Sequence, residues 1–254
     1  MIGPELDIDD KTSSVQHLGS PVIPDVETSV VSVIFRTAVL WSISSYCYYT
    51  LVDIFGLDSG YSDAPFVFAF YYLVWTGVAV WLFQSVLFGT SSYDAILRST
   101  VLMVPLFCIF GFFVVVLLPL LPKVSVLNAP PNPPEFMFAS AWYYLPKSAD
   151  ILFQQALVAA LIFSTAKAQF RLASIALGMA ATFGLLHLTL AFDGFTPIYV
   201  ARFTVAGVLL GVVFPYFYLR LRHGFLWAYG LHASFYAIDV VITHLFLAEP
   251  SWAT

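Results

Sequence analysis

Polar breaks divide this chain into seven long apolar runs, near residues 30–56, 65–89, 96–121, 148–165, 171–192, 197–222 and 224–247. A run of about 18 or more apolar residues can cross a bilayer as a helix. Within hydrocarbon, only a helix or a closed barrel pairs every backbone amide. The runs are continuous, whereas barrel strands would alternate apolar and polar positions. The expected fold is therefore all-α, a polytopic helical membrane protein with about seven transmembrane helices. The long first and third runs leave room for an eighth span or a re-entrant piece. Composition points the same way: 60% of residues are hydrophobic and 10% charged, against about 25% charged in a soluble domain. A net charge of −5 offers no basic surface to nucleic acid, so none is expected as a partner.

Five regions follow from the polar segments. Residues 1–28 carry Glu5, Asp7, Asp9, Asp10, Asp25 and Glu27 against Lys11, and read as a flexible acidic tail without the features of a cleaved signal. A three-helix membrane part covers 29–121. The loop 122–147 is centred on Pro130-Pro131-Asn132-Pro133-Pro134, a composition that favours a stiff polyproline spacer. A four-helix part follows over 148–247, with Ser148 as the expected N-cap of its first helix, and 248–254 form a short tail. The other connections are short, which predicts an up-down bundle of sequential neighbours. Cys47 and Cys108 fall inside spans and read as small apolar packing residues.

Lys and Arg are unevenly shared between the two membrane faces. Lys11, Arg36, Arg98, Lys167, Arg171, Arg220 and Arg222 fall on the side of the N-terminus, and Lys123, Lys147 and Arg202 on the other. The positive-inside rule then places the N-terminus in the cytoplasm. A bacterial inner membrane suits this composition.

Polar side chains within spans point to function by default. The fourth span carries Gln154-Gln155. The fifth carries Phe183 and His187, four residues apart on one helix face. The seventh carries His232, Tyr236 and Asp239, again on one face. Three helices thus offer groups that could converge in a buried pocket. The same residues can serve plain interhelical hydrogen bonding. Two imidazoles could alternatively ligate a tetrapyrrole or, with other donors, a divalent metal; no cofactor is the primary expectation.

The order and spacing of these residues resemble the CPBP family of CAAX-type and bacteriocin-processing intramembrane proteases. That family's pattern is E-E-x-x-x-R, then F-x-x-x-H, then H-x-x-x-N or its Asp variant two helices later. Phe183-Gly-Leu-Leu-His187 matches the second motif, and the approach to His232 resembles the third. Phe203 to Gly211 looks like the family's glycine-bearing span. The resemblance covers about residues 146–247 and implies a C-terminal CPBP-type helix bundle. Where the family has its glutamates this chain has Gln154 and Gln155. Ala159 stands in place of the Arg, and Tyr236 in place of the Asn or Asp.

These departures bear on chemistry. The family's glutamate is thought to activate a water, and an amide cannot accept that proton near neutral pH. Gln is also a poor zinc ligand. Asp239, on the face of His232, is the one carboxylate placed to help. The resulting expectation is a pseudoprotease or accessory subunit that binds other membrane proteins in a hetero-oligomeric complex. Small residues at Gly178, Ala180, Ala181 and Gly184 permit the close helix packing this needs. The alternatives are an active CPBP-type endopeptidase, and a haem- or pigment-binding subunit through His187 and His232.

Overall fold

The computed structural model describes residues 29–58, 60–88, 93–129 and 141–248. The acidic tail with Lys11, the Pro130–Pro134 centre of the long loop, the end of the C-terminal tail and the side chain of Arg98 lie outside the described residues. Seven helices are long and apolar enough to cross a membrane, and the only β-pairing among the described residues is one isolated bridge. The protein is an all-α polytopic membrane protein.

Helix boundaries follow local chemistry. α1 (Val30–Phe55) starts where Ser29 Oγ accepts from Ser32 N and stops at Gly56, whose φ of 60° suits a residue without Cβ. α2 (Pro65–Leu87) and α6 (Pro197–Arg220) each begin on a proline, whose missing N–H is no loss there. α3 (Tyr93–Phe112) passes through Pro105 and ends in a π-turn and a 3-10 turn that run on to Leu120. α5 (Leu172–Leu188) tightens into a 3-10 turn and halts at left-handed Gly194. α7 (Gly224–Phe246) follows α6 after three residues.

α4 (Ala141–Lys167) differs most from expectation. It begins seven residues before 148 and runs through Pro146, so Ser148 is no N-cap; its hydroxyl donates to Tyr144 O at 2.7 Å. Proline here removes one backbone donor. Tertiary packing overrides that cost, because Tyr143 and Tyr144 are buried against Tyr61, Phe110 and Phe113.

The bundle is not a ring of sequential neighbours either. α4 is its axis: 67% of its span is buried, against 17–39% for the others. It packs against α1, α2, α5, α6 and α7, most extensively against α2. The reason is that α4 carries Lys147, Asp150, Gln154 and Gln155, polar side chains that lipid disfavours and that therefore take the bundle interior. α5 and α6 form the other closely packed pair. A β-carbon on Gly211 would lie 2.6 Å from Ala180 Cα, and one on Gly184 2.7 Å from a Val208 methyl. Of the small residues expected to permit packing, Ala180 and Gly184 are spent inside this interface. Ala181 is exposed, and nothing lies within 4 Å of where a Gly178 Cβ would be.

On the face opposite the N-terminus, the segment after α3 is fastened to the end of α7. Ser125 N donates to Leu247 O at 2.7 Å, His244 Nδ1 meets Pro122 O at 2.8 Å, and Val124 bridges to Ala248.

Candidate functional site

The two glutamines are neighbours in sequence, so they leave α4 about 100° apart, and the structure sends them to different places. Gln155 is fully buried. Tyr218 Oη, from α6, donates to its Oε1 at 2.5 Å. With the amide oxygen so occupied, its NH₂ faces His232 Nδ1 at 3.0 Å. His232 therefore accepts on Nδ1, which leaves the ring proton on Nε2. Its ring lies beside Phe214 at 6.0 Å and stacks on Tyr236 at 5.7 Å. This is a closed knot joining α4, α6 and α7.

Gln154 instead faces a chamber of about 310 Å³ in the half of the bundle away from the N-terminus. Its Nε2 donates to Asp150 Oδ1 at 2.9 Å, one turn back on α4. The other carboxylate oxygen takes Lys147 Nζ at 2.8 Å. Lys147 also lies 4.3 Å from the centre of the Tyr236 ring, a favourable cation–π distance. His187 lines the same chamber. Its Nδ1 lies 2.7 Å from Phe183 O and donates there, which leaves Nε2 as an acceptor. A Cβ at position 207 would sit 2.7 Å from that Nδ1, so Gly207 is what admits the ring.

Tyrosines complete the wall: Tyr48, Tyr61, Tyr72, Tyr143, Tyr199 and Tyr236. Tyr61 reaches the chamber from the α1–α2 connection, and burial, reinforced by the Asp150 carboxylate, pushes its phenol well above the ordinary value. It stays a neutral hydroxyl across the physiological range. The chamber is thus rich in hydrogen-bonding groups yet carries little net charge, because Lys147 and Asp150 offset one another.

Asp239 does not serve His232. Two helical turns separate them, and Asp239 meets Arg202 of α6 at 2.8 Å instead. The expected single convergence is therefore split three ways: Gln155 with His232, Gln154 with His187 on the chamber, and Asp239 with Arg202. Among the described residues no group of three or more His, Cys, Asp or Glu side chains is placed to hold a metal ion.

Sequence reasoning placed Tyr236 at the site but missed Lys147, Asp150 and the other tyrosines. Two charges so close to an apolar span were a usable signal, but Pro146 put Lys147 in the loop and Asp150 just inside the helix start. The tyrosines other than Tyr236 carried no motif.

Compared with known proteins, the chain matches no family model, no curated protein and no solved structure.

Proposed function

We propose that this is a CPBP-like membrane subunit without proteolytic activity, which holds a segment of another membrane protein in the chamber beside α4. One observation carries the reading: Gln155 spends both ends of its amide on Tyr218 and His232. The family-like pair on α4 and α7 is thereby turned into a structural joint whose one acceptor nitrogen is already engaged. Next to it stands an open chamber of neutral hydrogen-bonding character, suited to polypeptide amides and hydroxyls.

The reading includes a cytoplasmic N-terminus in a bacterial inner membrane. Lys147 is buried in the chamber and Arg202 is tied to Asp239, so neither is a free loop charge on the far side. That sharpens the asymmetry behind the positive-inside assignment. The chamber then faces away from the cytoplasm, where a partner's extracytoplasmic segment reaches it.

A photoreactive residue in place of Leu190, on the chamber wall, tests this in native membranes. It gives a discrete protein adduct that the same probe at lipid-facing Ile238 does not. Absence of any protein adduct at position 190 removes the reading.

A second reading has one observation in its favour. Asp150 places a carboxylate in the chamber with Gln154 and His187, one turn from where the family has its own. Hydrolysis of a membrane peptide that is lost in both Asp150→Asn and His187→Ala would establish an endopeptidase and displace the first reading.

A further inference from the structure

On the N-terminal face the exposed cations gather on one rim. Lys167 ends α4, and Arg171 precedes α5 four residues later. Arg220 ends α6, and Arg222 lies in the short turn to α7. α5 and α6 run antiparallel, and a Cβ on Gly211 would meet Ala180 Cα. Arg220 lies nine residues beyond Gly211, and Arg171 nine residues before Ala180. Equal helical rises therefore bring both arginines to one level on touching helices. Just beneath them the rings of Phe163 and Tyr218, 5.7 Å apart, join the ends of α4 and α6. Arg36, exposed on the second turn of α1, has a stem long enough to carry its charge toward the same rim.

These five cations have no acidic partner among the described residues. Neither ion pair of the bundle includes them, and Lys167 Nζ donates to the Ser85 carbonyl at 2.8 Å. Every described Asp side chain, at positions 53, 58, 63, 150 and 239, lies toward the opposite face, and no Glu side chain is described. The complement precedes α1. Residues 1–28, outside the described part, carry six acidic side chains against one lysine, so the chain's whole net charge of −5 resides there. They lead into Val30, which borders the same groove as Phe170, the residue before Arg171. Asp25 and Glu27 are five and three residues from Val30, a reach of about 17 and about 10 Å for an extended chain.

From this match in sign, number and place, we infer that the acidic segment 1–28 docks on the rim of its own chain. Asp25 and Glu27 meet Arg171 and Lys167, and the acidic run 5–10 meets Arg220 and Arg222. The inference depends on the seven spans and not on the partner-binding reading. The competing anion is a lipid phosphate. Tethering favours the segment, because it makes the contact intramolecular at an effective concentration on the order of millimolar. A negatively charged leaflet surface also repels the segment everywhere except over these cations.

A pair of cysteines tests it in the full chain, reconstituted with Cys47→Ala and Cys108→Ala. Ile8→Cys stands between Asp7 and Asp9, and Leu221→Cys is exposed between Arg220 and Arg222, so neither change removes a charge. A short water-soluble bis-maleimide is expected to join 8 to 221 in vesicles of phosphatidylcholine, and equally in vesicles containing a quarter phosphatidylglycerol. Arg220→Gln/Arg222→Gln slows the cross-link about 3- to 10-fold, the range for a few exposed ion pairs. Salt at about 1 M, which shortens screening to about 3 Å, does the same. Exchanging the charges, Asp7→Arg/Asp9→Arg with Arg220→Asp/Arg222→Asp, restores the rate. Melting temperatures of the variants match the parent's, since all these positions lie outside the packed core. Equal rates with and without the two arginines, or no cross-link at all, overturn the inference. A cross-link present in phosphatidylcholine but lost with phosphatidylglycerol assigns the rim to lipid phosphate and overturns it too.

Discussion

Replacing Lys147 with Met strands the Asp150 carboxylate in the interior of the bundle. The two side chains are 10% and 8% exposed and their charged atoms lie 2.8 Å apart. At an effective dielectric constant of about 20, that separation gives about 6 kcal/mol of gross attraction. Desolvation offsets most of it, so the intact pair adds little net stability, yet losing one partner of a buried pair costs about 3–5 kcal/mol. The Lys147–Tyr236 contact at 4.3 Å adds about 1 kcal/mol to the loss. Asp150→Asn costs a similar amount through the orphaned ammonium. The double variant Lys147→Met/Asp150→Asn removes both charges and returns to within about 2 kcal/mol of the parent. Reversible unfolding in mixed micelles, followed by tryptophan fluorescence, reads all four corners of this cycle. A coupling energy below about 0.5 kcal/mol, with the single costs simply adding, would refute the claim that the pair is buried and mutually dependent.

Further substitutions probe the rest of the bundle. Gly211→Ala drives a methyl to within 2.6 Å of Ala180 Cα and destabilises by about 1–3 kcal/mol, whereas Gly178→Ala meets open space and is neutral or slightly stabilising; equal melting temperatures for the two would contradict the α5–α6 interface. Tyr218→Phe leaves the buried Gln155 oxygen without its donor and costs about 1–3 kcal/mol, and the additional change Gln155→Leu does not recover that loss, because it strands His232 Nδ1 in turn, as thermal melts of both variants in detergent would show.

All seven spans were legible in the sequence because hydrocarbon demands long apolar runs, and the caps at Ser29, Gly56, Pro65 and Pro197 agree with local rules. The fourth began early because Pro146 reads as a boundary, and only the burial of Tyr143 and Tyr144 reveals otherwise. The centrality of α4 was hidden too: hydropathy reports how apolar a helix is, not whether lipid or protein covers it. At the site, His187 and Gln154 do share a chamber, but adjacent residues on a helix diverge. No periodicity argument could say that Gln155 would leave its neighbour for Tyr218 and His232. Asp239 was misassigned to His232 for a related reason. A shared face says nothing about level, and Arg202 stands at the level Asp239 occupies.

The fastening of the post-α3 segment to the end of α7 orders events in time. A ribosome delivers the chain from its N-terminus, so Pro122 and Ser125 enter the membrane long before the residues that will grip them. α1 and α2 can dock on α4 as soon as it inserts, but the segment after α3 must wait until the final helix is threaded. Only then does the earlier half acquire its latch.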